Sequence, residues 1–209
     1  MNRLVLTVPL LALLGTGCTP VHRVYVNGYS ELDEPVDKGA PIYVGTDPNS
    51  QNPIFERQVK AKLQRLLEQQ EYTLANAPQD AAYELDFQVG MRSEGTLDYV
   101  PAPGMYGGYH RRPWGGFAFG YDTYVPYLDR QYDQWLVLRL FRRHSDAAVR
   151  RQLVWVGDAM MSTETAALRE AVNYLLVAVL DVFGIDTAEQ LSVTIRKDDP
   201  RLAEVATSP

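Results

Sequence analysis

The sequence predicts an α+β fold, a two-layer sandwich in which a mostly antiparallel sheet carries two amphipathic helices on one face. Three observations predict it. Residues 135–141 and 153–157 are short apolar runs joined by a charged turn at 142–150, the pattern of a hairpin. Tyr83, Leu85, Phe87 and Val89 alternate with Glu84, Asp86 and Gln88, which gives a strand with one apolar face that needs cover. Two segments supply that cover, because their apolar residues recur at intervals of three and four. These are Val59, Leu63, Leu66 and Leu67 in the first, and Leu168, Val172, Leu175, Leu176, Val179 and Phe183 in the second.

The chain opens with a targeting signal over residues 1–17. Arg3 gives a positive start, 4–14 is an apolar run too short to span a bilayer, and Gly15, Thr16 and Gly17 form a small-residue cleavage zone. The single cysteine of the chain, Cys18, follows at once. A lone cysteine has no internal disulfide partner, and one directly behind an apolar signal run resembles the lipobox of bacterial lipoproteins, with Gly15 where Leu is usual. That resemblance implies a lipid on Cys18, a short tether over 18–21, and, from Thr19 in place of Asp, an outer-membrane anchor facing the periplasm. An ordinary secretory signal and a free thiol are the alternatives. The three acyl chains of a mature bacterial lipoprotein, at about 0.8 kcal/mol per buried methylene, hold a protein to a membrane essentially permanently.

A single domain is expected over 22–197. Val24, Val26 and Tyr29 point to a first strand, and 40–46 to a second. Asn52 caps a helix with Pro53 at its first position, where the missing N–H costs nothing, and the helix ends near Gln70. The strand at 83–89 follows, then an unusual segment, the hairpin and a long helix over 163–183 stopped by Gly184. Leu191, Val193 and Ile195 alternate with Ser192 and Thr194 as a last strand, and 198–209 reads as a loose tail.

The unusual segment is 97–127. It interleaves Tyr99, Tyr106, Tyr109, Trp114, Phe117, Phe119, Tyr121, Tyr124 and Tyr127 with six glycines and with Pro101, Pro103, Pro113 and Pro126. Glycine and proline break a helix and strand alternation is missing, so a long loop is expected. The eight aromatics from Tyr99 to Tyr124 are the candidate binding residues, since flat rings between glycines can stack on a sugar or a protein partner. A low-complexity insert without a ligand is the other reading.

The net charge of −6 argues against a nucleic-acid partner, which requires a clustered basic face. No zinc-type spacing, nucleophile elbow or phosphate loop occurs, so no cofactor, metal or catalytic residue is expected. Glu84 and Asp86 share a strand face, but it is the water-facing one. An enzyme would need a site assembled from loop residues such as Asp98, His110, Arg112, Asp122 and Asp129, without a paired nucleophile and base.

The order of these features resembles a known family. Asn52, Pro53 and Ile54 lead into the first helix, which exits at Gln70, Glu71 and Tyr72. Ala82 and Tyr83 open a strand, the Gly/Tyr insert follows, and 153–159 (Leu, Val, Trp, Val, Gly, Asp, Ala) precedes the last helix. Behind a lipobox, this order is similar to that of the domain of unknown function 4136 family of bacterial lipoproteins. Glu71 stands where members commonly have Gly. The resemblance implies a Gram-negative envelope lipoprotein and carries over no catalytic residue. The resulting expectation is a non-enzymatic lipoprotein that meets the membrane through Cys18 and an envelope protein or glycan through its insert.

Overall fold

The computed structural model describes residues 20–47, 50–102, 123–143 and 151–206, with backbone alone over 96–129. Six strands form one mixed sheet. They are β1 (Val21–Ser30), β2 (Ile42–Val44), β3 (Tyr83–Ala102), β4 (Thr123–Arg143), β5 (Arg151–Thr163) and β6 (Leu191–Arg196), in the spatial order β2-β3-β4-β5-β1-β6. All neighbours are antiparallel except β2 and β3. That pair is parallel because α1 (Pro53–Gln69) crosses over between its strands, as parallel pairing requires. Two more helices, α2 (Leu168–Leu180) and α3 (Pro200–Ala206), complete the α+β architecture.

One apolar cluster joins the helices to one face of the sheet. Leu85 and Phe87 of β3, Leu136, Leu138 and Leu140 of β4, Trp155, Ala159 and Met161 of β5, and Val24 and Val26 of β1 are all buried in it. The hairpin of β4 and β5 has the expected partners, with Leu140 opposite Trp155. A register shift between Leu140 and Phe141 lets the consecutive Val154 and Trp155 both reach the interior. Asn52 caps α1 as its side chain predicts, accepting from the Phe55 N–H at 3.1 Å.

Trp155 has room because glycines clear it. Gly28 and Gly157 sit opposite each other on β1 and β5, and a Cβ at Gly157 would fall inside the Trp155 ring. The indole Nε1–H donates to the Ile185 carbonyl at 3.1 Å, and Phe183 meets the ring edge-on at 5.0 Å. The chain turns there at Gly184, whose φ of +77° favours glycine. Glu71, just beyond α1, also takes the left-handed conformation, with φ +68°. A left-handed residue just past a helix is a common way of ending it.

Three expectations are corrected. The helices number three among the described residues: within the expected tail, α3 docks Leu202 and Val205 in the core. The second helix starts at Leu168, since β5 runs on to Thr163. It is buried almost all round, not along a stripe, because α1 and α3 cover the side that the sheet leaves open, and Tyr174, Val177, Ala178 and Leu180 are buried with the rest.

The third correction concerns the insert. Residues 97–102 and 123–127 are not loop but strand, the outer part of a two-stranded ribbon in which β3 and β4 pair without a break from Tyr83 opposite Arg142 to Ala102 opposite Thr123. The prolines do not interrupt it. The Leu85 carbonyl accepts from Gly45 beyond β2, so odd-numbered β3 residues direct their backbone groups away from β4. Pro101 and Pro126, opposite Tyr124 and Tyr99, both fall at such outward positions, where a missing N–H breaks no rung. The remainder of the insert, 103–122, lies outside the described residues.

An ion cluster ties α3 to the end of α2. Arg201 donates to Asp181 at 2.9 Å and to Asp199 at 2.9 Å. The hydrogen bond from Arg201 holds the Asp199 carboxyl below its ordinary range, against the opposing effect of burial. Its stabilisation is therefore complete above the unfolded carboxyl value of about 3.9 and is lost as pH falls through the lower folded value. Comparing wild type with Arg201→Met by urea denaturation at pH 6 and pH 3 should show a gap at pH 6 that narrows at pH 3. The partners are part-exposed, so the gap should be under about 1 kcal/mol.

Candidate functional site

Two concave regions flank the sheet at different places. On its open face, β3 and β4 set Glu84 and Asp86 beside Arg139, and Arg151 reaches across from β5. Arg151 contacts Glu84 at 3.3 Å and Asp86 at 2.5 Å while its guanidinium lies over the Phe141 ring at 4.0 Å. The two carboxylates that share a strand face are thus engaged by a cation, which fits a structural role on a wet face better than acid–base work. Arg151 was invisible as their partner in sequence, since it lies 65 residues from Asp86 and a bulge in the hairpin sets its register.

The second cavity, of about 300 Å³, lies where β1 begins, α2 begins and β5 ends. His22, Gln134, Met161, Thr163, Glu170 and Tyr174 line it. The His22 and Tyr174 rings meet at 4.5 Å. Burial, and then the nearby Glu170, raise the Tyr174 phenol above its usual value, so it stays a neutral hydroxyl at ordinary pH. Gln134 is fully buried on the apolar face of β4. Its Nε2 donates to the Thr165 carbonyl at 3.0 Å, whereas Oε1 has no partner. A buried amide oxygen without a donor is costly, and a ligand or water that donates a hydrogen bond would relieve it. The cavity offers binding groups, with no hydrogen-bonded pair of nucleophile and base among the lining residues. None of these lining residues was singled out from sequence, because they come from β1, β4, β5 and α2.

The predicted site residues fall in three groups. Tyr99 and Tyr124 lie in the ribbon, where Tyr99 faces Pro126 and Tyr124 faces Pro101 across the strands. Asp98 and Asp129 also belong to it, opposite Tyr127 and Thr96. Cys18, Tyr106, Tyr109, His110, Arg112, Trp114, Phe117, Phe119, Tyr121 and Asp122 lie outside the described residues. Among the described residues, no group of three His, Cys, Asp or Glu is placed to hold a metal ion. No described helix is long and apolar enough to cross a membrane.

No protein-family model matches the chain, and no curated protein matches it. Solved structures share distant similarity. A PDZ domain protein from Parabacteroides distasonis aligns at a TM-score of 0.46 and 10% identity, covering 84% of this chain and 39% of that one. This chain thus spans well under half the length of that protein. A PelC dodecamer from Paraburkholderia phytofirmans gives 0.40 and 13%, covering 75% and 94%. A DUF4136 family protein from Bacteroides thetaiotaomicron gives 0.38 and 14%, covering 75% and 91%, and so belongs to the family that the sequence resembles. At these distances none of the three assigns a family or an activity.

Proposed function

We propose that the protein is a non-enzymatic lipoprotein of a bacterial outer membrane, held by a lipid on Cys18 and facing the periplasm, which binds an envelope protein or cell-wall glycan through its aromatic insert. The observation that carries this reading is the placement of the only cysteine directly behind an apolar signal run and three residues ahead of Val21, where β1 begins. A cysteine so placed serves as an attachment point. The insert supports the binding half of the reading: its strands leave the sheet beyond Tyr132, the last β4 residue paired with β5.

Membrane fractionation and partner capture test the two halves together. Cys18→Ser should move the protein from the membrane to the soluble fraction and abolish incorporation of labelled fatty acid. Replacing 97–127 by a short Gly/Ser turn should leave fractionation and thermal midpoint nearly unchanged, because closing a shorter loop is entropically inexpensive, while captured envelope proteins and peptidoglycan fragments are lost. Continued sedimentation of the Cys18→Ser protein with membranes, with undiminished acyl label, rejects the anchor. Retention of every partner by the shortened protein rejects the insert as the binding element.

A further inference from the structure

The ribbon and the start of the chain leave the same end of the sheet. β1 enters at Val21, and its pairing with β5 brings that entry beside Thr163, where β5 ends. From this end β3 and β4 continue alone for nine register pairs, Glu94 opposite Gln131 to Ala102 opposite Thr123. At about 3.3 Å per residue the ribbon projects roughly 30 Å beyond the sheet. Only Thr19 and Pro20 separate Cys18 from Val21, a span of at most about 10 Å. β5 alone stands between β4 and β1, which sets the ribbon's root about 10 Å to the side of the chain's entry.

The ribbon's register sorts its residues by face. Leu97 with Leu128, Tyr99 with Pro126 and Pro101 with Tyr124 occupy one face, six apolar or aromatic residues in three successive pairs. By register this face is continuous with the side of β3 that carries Leu85 and Phe87. The opposite face carries Asp98 with Tyr127, Val100 with Val125, and Ala102 with Thr123. At the root of the apolar face, opposite Gly95, stands the exposed Arg130.

We propose that the apolar face of this ribbon rests on the surface of the bilayer that holds the lipid of Cys18. The inference rests on the anchor reading above: with the sheet end tied within about 10 Å of the membrane, a 30 Å projection from that end reaches the lipid interface or lies along it. The chemistry fits this occupant. Tyrosine concentrates at membrane–water interfaces, and a cation at the root matches anionic headgroups. The ribbon lies in the interface and does not cross the hydrocarbon, since both its edges carry backbone groups that only water or headgroups can satisfy. Seated in this way, the face with Asp98 and Tyr127 stays turned from the bilayer and free for an envelope partner.

The test uses the full-length lipidated protein in phosphatidylethanolamine and phosphatidylglycerol vesicles. Cysteines are introduced one at a time by Leu97→Cys, Leu128→Cys, Tyr99→Cys and Tyr124→Cys in the ribbon, and by Glu31→Cys just past the far end of β1, and each is labelled with an environment-sensitive fluorophore. Quenching by phospholipids that carry a nitroxide near the headgroup should be at least two-fold stronger at ribbon positions than at residue 31, and unchanged when protein density is lowered a hundredfold. Equal quenching at ribbon and residue 31 overturns the proposal. Lipid-shielded ribbon labels that become quenched only on dilution assign the face to a second copy, which also overturns it. The label count tells the two readings apart: with Cys18 acylated each variant takes one label, whereas two labels show a free Cys18 thiol and reject the anchor itself.

Discussion

Trp155→Ala is expected to remove about 3–5 kcal/mol of folding stability, the range for deleting a large buried aromatic. The indole is 1% exposed and is held from several directions. Gly28 and Gly157 form its floor, Phe183 meets it edge-on, and Tyr72 extends the aromatic contact by packing on Phe183 at 5.2 Å. Deletion leaves a cavity over two glycines that have no side chains with which to fill it, so relaxation recovers little. It also strips the Ile185 carbonyl of its indole donor. Urea denaturation of the chain from Pro20 onward measures the loss. Trp155→Phe keeps much of the ring but not the N–H and should fall between wild type and alanine. A loss below about 0.5 kcal/mol for the alanine variant, the level of a surface change, would show that the slot collapses without cost.

Leu176→Ala should cost about 2–5 kcal/mol. Leu176 is fully buried in α2, the element that touches the sheet on one side and both other helices on the other. A truncation there loosens every layer of the core, and such a loss is comparable with much of the total stability of a domain. Chemical denaturation with an unchanged slope and a lowered midpoint is the expected signature. A midpoint within error of wild type would place Leu176 outside the cooperative core.

The parts of the fold that were legible in sequence are those governed by local periodicity. Residues 135–141 read as one apolar run, Asn52 and Pro53 announce α1, and Leu191, Val193 and Ile195 give the last strand. What was missed depends on partners distant in the chain. The outer ribbon was hidden because Pro101 and Pro126 read as breakers, and only the β3–β4 register shows that their nitrogens face outward. α3 was hidden by its seven-residue length, too short for a periodic signal, and by a docking that rests on Arg201 meeting Asp181 from another helix. The cavity around Gln134 had no local signature either. A glutamine at a core position of an otherwise apolar alternation was its one trace, and residues 132–140 carry that exception in plain view.

The outward prolines of the ribbon bear on how the protein behaves when crowded. An edge strand with free N–H donors is a template on which another chain can build a further strand. Pro101 blocks the outer edge of β3 one residue from its end, and Pro126 blocks that of β4 near the middle of its outer segment. A neighbouring strand would lack a rung near its centre on the β4 edge and near its tip on the β3 edge. The same two residues that obscured the ribbon in the sequence thus remove edge donors on which a further strand would build.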